Sequence, residues 1–379
     1  MFIASPDEIK SGEATDIYFK RTKEIVSKSG VDKNVRMEFH VYSFPSGYEW
    51  GVFAGLEEVL EIIEGRNVNV YSVPEGTIFF EKEPLMVIEG KYSEFADLET
   101  SLLGVLRHST SIATKAARVK KAAGNKIVMF FGLRAVHPAI QPMVDRAAYI
   151  GGVDAVAGTL SEKYLGLKPV GTMPHALIVI IGNSEVAWSI FDKYTDPSIP
   201  RIALVDTFCD EREEALRACK TLKERLKGVR LDTPGSRRGN FRRIIEEVRW
   251  TLDINGCKDV QIVVSGGLDE DVIQELRDIV DAFGVGTSIA FPKSVDISAD
   301  IVEVFENDRW VPRSKRGKLP GFKQLYVCNK KRLILPWNVE APEGCIPLLR
   351  KVIENGKVIE KLPSINDIRD YVLNQLFNL

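Results

Sequence analysis

The chain is poor in the residues that most often announce a chemistry. Its 379 residues include only five cysteines and four histidines, and no two cysteines are spaced C-x-x-C. An odd number without paired spacing (Cys209, Cys219, Cys257, Cys328, Cys345) predicts neither a disulfide framework nor a structural zinc. Cys219 shares an apolar helical stripe with Leu216, Leu222 and Leu226, so it is expected to fill core. A charge excess is missing too. Fifty-one basic against 53 acidic residues leave a formal net charge of −2. That balance gives no field for nucleic acid or an anionic membrane, so any anion site must be a local basic cluster. Long apolar runs are absent: the longest, residues 176–182, falls far short of the ~20 residues a bilayer span needs. The first residues carry no signal-peptide pattern, and the cytoplasm is the expected compartment. What remains, 45% hydrophobic and 27% charged, is the balance of a globular protein of two or three domains, or of a barrel with additions.

What is present concentrates in residues 126–175. Three short apolar runs (126–131, 152–156, 168–171) alternate with polar, helix-compatible segments. Each run is flanked by glycine and a group able to do chemistry: Gly132 with Arg134, Asp154 before Gly158, Gly171 with Thr172 and His175. Strands that deliver polar groups at their carboxyl ends are what a (β/α) barrel site looks like in sequence. Further apolar runs follow. Residues 176–181 continue past His175, 201–205 end in Asp206, 228–231 end in Asp232, 260–264 end in Ser265-Gly266-Gly267, and 282–290 contain Gly286-Thr287-Ser288. One-faced helical patterns separate them, for example Phe241, Ile244, Ile245, Val248 and Leu252. Buried β-branched strands alternating with such helices predict a parallel sheet.

Chemistry can be assigned to several of these residues. Arg230 offers a planar fork suited to phosphate or carboxylate oxygens. Asp232, two residues on and on the same strand face, can hold ribose hydroxyls or Mg²⁺. Gly266 and Gly267, like Gly286 with Thr287, let backbone N–H groups approach a phosphate. His175 is a competent nucleophile near neutral pH. Outside this region, Val35, Met37, Phe39 and Val41 alternate as in a half-buried strand, and residues 55–65 read as a helix. Residues 297–311 read as a hairpin turning near Asn307-Asp308, and the basic run 313–318 as a solvated loop. Ser364 is placed to cap a last helix reaching Leu376.

Taken together, Phe131-Gly132-Leu133-Arg134, Gly151-Gly152-Val153-Asp154 and Gly171-Thr172-Met173-Pro174-His175 resemble the nicotinate phosphoribosyltransferase family, in order and in spacing. Thr15-Asp16-x-Tyr18 and Arg230-Leu231-Asp232 resemble that family as well, and residues 75–110 resemble type II phosphoribosyltransferases generally, the quinolinate enzymes included. The resemblance spans residues ~10–350 and is strongest at 126–290. With the count of strands it favours an α/β architecture: a mixed α+β N-terminal domain (1–118), an irregular (β/α) barrel (119–290) and a small C-terminal domain (291–379) for which packing on the N-terminal domain is one expected arrangement. It implies transfer of a phosphoribosyl group from phosphoribosyl pyrophosphate (PRPP) to nicotinate, coupled to ATP hydrolysis through a phosphohistidine at His175, with Mg²⁺ accompanying PRPP and ATP.

The same resemblance implies catalytic roles for His175, Asp206 and Asp232. The base would be bound by Phe131, Arg134, Asp154 and, from a neighbouring subunit, Tyr18, so that a homodimer or higher assembly is expected. PRPP would be bound by Arg134, Arg230, Asp232, Gly266, Gly267, Gly286 and Thr287. No metal-binding cluster of protein residues is expected: some archaeal relatives carry a Cys-rich module near residues 328–345, where only Cys328 and Cys345 stand here. His108 is expected at a helix interface, and His137 has no assigned role. Two features depart or compete. Asp232 is followed by Thr233-Pro234-Gly235-Ser236 where many relatives continue Ser-Gly-Asp. Asp154 beside the ring would accept from an amide and repel an acid. Nicotinamide and quinolinate phosphoribosyltransferases, and a silent nucleotide-binding relative, are therefore the alternatives.

Overall fold

Short β-branched runs separated by one-faced helices build a parallel sheet between residues 115 and 292. The structure, a computed structural model, describes residues 1–329 and 331–379. It divides into two units, residues 1–114 with 293–379, and residues 115–292.

In the second unit six strands stand in the order Ala155–Val156, Ile127–Phe130, Ala282–Val285, Gln261–Ser265, Leu226–Leu231, Arg201–Leu204. Every neighbouring pair is parallel. Counted along the chain this is 2-1-6-5-4-3, the order of a barrel opened between its second and third strands. The expected irregular barrel is thus a curled half-barrel: among the described residues no ladder joins Ala155–Val156 to Arg201–Leu204. The stretch between those edge strands departs from expectation. Residues 168–171 form no strand, although the Val170 N–H reaches the Val156 carbonyl at 2.9 Å. The apolar run beyond Pro174 is a helix, His175–Ile181. A short apolar run reads alike as strand or helix when its length is the only guide.

The intervening helices bury one face each. Phe241–Ile254 buries Phe241, Ile245, Val248, Thr251 and Leu252. Side-chain caps fix where the helices start: Asp210 accepts from the Arg212 and Glu213 N–H groups, Asn240 from Arg243, and Asp269 from Val272.

The other unit is antiparallel. Its seven-stranded sheet runs Arg309–Pro312, Ile297–Glu306, Asn34–Val41, Pro84–Lys91, Val68–Ser72, Arg350–Glu354, Lys357–Val358. The segment after residue 292 therefore supplies strands to the sheet of the first 114 residues, and Ile297–Glu306 pairs directly with Asn34–Val41. The hairpin at residues 297–312 turns on Asn307 and Asp308, both at positive φ (52° and 57°), as a tight hairpin requires. Ser364 caps Ile365–Leu376 in a capping box with Asp367. The basic run is an exposed loop, as its composition predicts, and two of its ammonium groups, Lys315 and Lys318, each lie 2.9 Å from a buried Asp300 oxygen.

The cysteine expectation is corrected. Cys219 is disulfide-bonded to Cys257 and Cys328 to Cys345, while Cys209 is free and exposed. Cys328 and Cys345 face each other across antiparallel strands, and Cys219 sits on the helix Glu211–Leu222. Neither approach is visible in sequence spacing, because tertiary folding closes both.

Arg201, at the start of an edge strand, is buried. Its guanidinium donates to Asp192 Oδ1 (3.0 Å) and to the carbonyls of Asp192 (2.9 Å), Thr195 (2.8 Å), Asp196 (2.7 Å) and Ile199. Arg201→Met keeps the stem but strands these acceptors. It should lower the unfolding free energy by about 3 kcal/mol, read from urea denaturation; a change near zero would show that water replaces the lost donors.

Candidate active site

Parallel strands present all their carboxyl ends on one rim, and most chemistry-bearing residues named above stand there or in the open interval. Leu226–Leu231 carries Arg230 and delivers Asp232. Arg201–Leu204 delivers Asp206, and Gln261–Ser265 delivers Ser265 and the glycine pair. His175 is the first residue of its helix, preceded by Pro174 in extended conformation, rather than the end of an apolar strand.

These residues interlock. His175 Nε2 lies 3.0 Å from Asp206 Oδ1, and Nδ1 lies 3.8 Å from Asp232 Oδ2. The His175 side chain is 40% exposed and that of Asp206 only 2%. A carboxylate can only accept, so Asp206 selects the Nε2–H tautomer and leaves the Nδ1 lone pair unprotonated in the neutral ring. Asp206 Oδ2 also accepts from the Asp232 N–H (3.0 Å). Burial raises the proton affinity of Asp206 above the ordinary aspartate value; the Asp232 charge adds to this and His175 opposes it. Ser265 donates to Asp232 Oδ1 at 2.6 Å. Arg230 donates to Thr172 Oγ1 and sits 3.8 Å from Asp232 Oδ2. Its pKa is lowered, chiefly by burial, with the charge of Arg134 contributing against Asp232 and Asp206. The cluster thus combines an exposed imidazole, two carboxylates and two guanidinium groups, fixed charges of both signs able to bind an anion and stabilise developing positive charge.

The glycines have steric reasons. Gly266 (φ 84°) and Gly267 (φ 58°) are both left-handed, and a Cβ on Gly266 would meet Asp232 Oδ1 at 3.1 Å. A Cβ on Gly284 would lie 2.7 Å from the Phe131 ring, and one on Gly132 2.8 Å from the Gly286 carbonyl. The Phe131 N–H donates to the Val285 carbonyl (2.8 Å). Gly286 immediately precedes the one-turn helix Thr287–Ala290.

One expected site residue stands elsewhere. Asp154 precedes its strand, at the opposite rim of the sheet. Its Oδ2 accepts from Lys120 Nζ (2.7 Å) and from the Val128 N–H (2.8 Å). Tyr18 lies in the other unit, on the helix Ile17–Ser29, and is 56% exposed. The turn before it is fixed by Thr100, whose hydroxyl donates to Asp16 (2.9 Å) and accepts the Asp16 N–H (3.1 Å). Sequence reasoning missed Arg238, whose guanidinium reaches the Ser265 and Gly266 carbonyls. It also missed Glu214, buried beneath the Asp206 loop and accepting from the Thr207 (3.0 Å) and Phe208 (3.2 Å) N–H groups. A run of four acids at a helix start (Glu211, Glu213, Glu214, after Asp210) was the available signal for Glu214; only the arginine pair after Gly235 signalled Arg238.

With this geometry in hand, the comparisons define first a class. Residues 16–110 match the N-terminal domain of quinolinate phosphoribosyl transferase, and residues 112–300 match its C-terminal domain. A crystal structure of nicotinate-nucleotide pyrophosphorylase from Pyrococcus furiosus is 50% identical, with TM-score 0.97, covering 100% of this chain and 99% of that one. Nicotinate phosphoribosyltransferase of Bacillus subtilis is 29% identical over 314 residues, which are 73% of this chain and 62% of that protein. This chain thus matches somewhat under two thirds of the Bacillus relative's length. The human nicotinic acid phosphoribosyltransferase shares the fold, with TM-score 0.75 over 96% of this chain and 94% of that one at 19% identity. The chain belongs to the phosphoribosyltransferase family that the two quinolinate phosphoribosyl transferase domains define, and its relatives include proteins named nicotinate phosphoribosyltransferase.

Asp145 generates a pH prediction. It is buried against Gly158, where a Cβ would fall 2.0 Å from its Oδ2, and that oxygen accepts from Ser161 Oγ at 2.5 Å while Oδ1 has no partner. Burial raises its pKa from 3.8 to about 6, against the bonds from Ser161 and Gly158. Between those two values the folded chain holds a proton that the unfolded chain has released. Stability therefore falls as the pH rises through that window, by about 3 kcal/mol in total, and the contribution is flat above it. Asp145→Asn should remove this slope. Urea midpoints on either side of pH 6 test it, and identical pH profiles for the variant and the parent protein would refute the burial argument.

Proposed function

We propose that the protein transfers the phosphoribosyl group of PRPP to nicotinate, giving nicotinate mononucleotide and pyrophosphate, in NAD biosynthesis. The observation that carries this reading is the His175–Asp206–Asp232–Arg230 cluster at the carboxyl rim, beside the Phe131 ring and the Gly266–Gly267 turn. The pyridine nitrogen attacks the anomeric carbon, the bond to pyrophosphate breaks, and positive charge grows on the ribose. Asp206 and Asp232 are the anions that stabilise this charge; Arg230 and Arg134 are the cations for the departing pyrophosphate. Phe131 offers the base a stacking face worth roughly 1 kcal/mol. Among the described residues no cluster of three or more acidic, His or Cys side chains can hold a metal by itself. Asp232 Oδ2, which accepts no hydrogen bond among the described residues, suits one oxygen position on a Mg²⁺ brought in by the substrate's phosphates; the ion would supply charge neutralisation there.

ATP coupling belongs to the same reading. Asp206 holds Nε2 and leaves Nδ1 to attack the γ-phosphorus; ADP leaves, and the phosphohistidine is later hydrolysed by water. His175→Asn cannot carry the phosphoryl group. It should abolish the acid-labile, alkali-stable label acquired from γ-labelled ATP together with the ATP stimulation, and should retain slow ATP-independent nucleotide formation. Full ATP stimulation in His175→Asn would remove the histidine from coupling.

A quinolinate reading is favoured by the two matching domain families. Product formation with PRPP and each of nicotinate, nicotinamide and quinolinate, with and without ATP, decides between them. Exclusive use of quinolinate, with release of carbon dioxide, would overturn the nicotinate assignment.

The assembly proposed is a homodimer in which Tyr18, on an exposed helix turn pinned by Thr100, completes a neighbour's base site. Tyr18→Ala and Arg230→Ala should each be nearly inactive, and mixing them should restore about a quarter of the parent activity, the statistical share of restored sites in random hybrid dimers. No recovery after verified subunit exchange would confine the site to one chain.

A further inference from the structure

Arg238 lies beyond the segments that match the family motifs, in the stretch where this chain departs from Ser-Gly-Asp. After Asp232 the chain runs through Thr233 and Pro234 into a single helical turn, Gly235–Arg238, which brings the Arg238 side chain back to the rim. Its Nε donates to the Thr233 carbonyl at 2.7 Å. Its Nη2 donates to the Ser265 carbonyl at 3.0 Å and to the Gly266 carbonyl. The guanidinium carbon stands 4.6 Å over the Phe241 ring. One edge of the fork is therefore used up on backbone carbonyls of two loops, and the stem and plane are immobilised.

The other nitrogen, Nη1, has no acceptor among the described residues. It faces the glycine turn: a Cβ on Gly267 would lie 3.9 Å from it. A Cβ on Gly266 would lie 3.2 Å from Nη2 and 3.1 Å from Asp232 Oδ1, so the missing side chain leaves a slot between a fixed cation and a fixed carboxylate. Both glycines of the turn are left-handed, at φ 84° and 58°. A half-buried, immobilised guanidinium with unused N–H groups is a strong donor to a phosphoryl oxygen, and its fork geometry is one that lysine cannot reproduce.

We propose that Arg238 is a substrate-binding residue: Nη1 holds a phosphoryl oxygen of the phosphoribosyl donor at the Gly266–Gly267 turn, while Nε and Nη2 hold the two loops around it. The assignment rests on the phosphoribosyl-transfer reading and deepens it. It also gives the Thr-Pro-Gly-Ser departure a purpose, because the turn carries a cation to the rim from the segment where relatives place serine and aspartate.

The test uses the full chain and calorimetric titration with PRPP and with inorganic phosphate. Arg238→Met keeps the stem over Phe241 and removes the donors; Arg238→Lys keeps a charge and loses the fork. The expected result is at least about tenfold weaker PRPP binding for the Met variant and an intermediate loss for the Lys variant. KM for PRPP should rise while KM for nicotinate stays near that of the parent, a split that a merely structural arginine would not produce. If the Met variant does not fold, the Lys variant decides alone by the same comparison. Parent-like PRPP affinity in the folded variants overturns the assignment and leaves the transfer reading standing. A parent protein that binds no PRPP overturns both.

Discussion

The candidate site hangs on one buried carboxylate. Asp206 is almost fully enclosed, yet it accepts from His175 on one oxygen and from the Asp232 backbone on the other. Burial alone would favour its protonated form, and the imidazole contact offsets this. The acid, the histidine and the position of Asp232 are thus set by a single group. Beneath it the helix Glu211–Leu222 supplies support from its first turn. Glu214 accepts from the backbone of Thr207 and Phe208 and from Ser184 Oγ (2.7 Å), and Glu211 accepts from Thr233 Oγ1 (2.6 Å). The residues next to Asp206 and Asp232 are therefore braced by two further carboxylates from one helix turn.

The open sheet explains how residues so far apart in the chain meet. A cut between the second and third strands leaves a long connection, residues 157–200, where a closed barrel would have further strands. Thr172 and His175 come from that connection, and Arg230 and Asp232 from the strand Leu226–Leu231 or just past its end, next to the edge strand Arg201–Leu204. The carboxyl rim is common to all six strands because all are parallel. The bond from Arg230 to Thr172 and the contact from Asp206 to His175 join the connection to the sheet.

Much of this was legible in the sequence, for a physical reason in each case. Strand runs ending in Asp206, Asp232 and Ser265-Gly266-Gly267 are local patterns, and parallel pairing turns such patterns into one rim. The hairpin at Asn307-Asp308 and the Ser364 cap are local too. What escaped was non-local or depended on element ends. Periodicity could not tell the helix His175–Ile181 from a strand. The cysteine partners Cys219 and Cys257 are joined only when a helix and a distant loop pack. The C-terminal strands look like a separate domain in sequence, because nothing in Ile297–Glu306 announces that its partner is Asn34–Val41.

Asp154 shows how much rests on a strand boundary. The sequence reading put it at the carboxyl end of an apolar run, where it would face the base. The strand is only Ala155–Val156, so Asp154 precedes it and falls on the opposite rim, bonded to Lys120 and to the backbone of Val128. A shift of a few residues in a strand's ends exchanges one rim of a parallel sheet for the other, whereas the identity of the strand is untouched. The shift bears on specificity. Asp154 was the one carboxylate that weighed against an acidic pyridine and for an amide. Removed to the far rim and paired with an ammonium, it no longer repels a carboxylate at the ring. The charges left around the Phe131 face include Arg134 in the next turn and Arg230, which Arg134 is close enough to repel. A pair of guanidinium groups held at like charge is relieved by an anion between or beside them, which the proposed departing pyrophosphate supplies; the move of Asp154 acts on the ring side by taking a negative charge away.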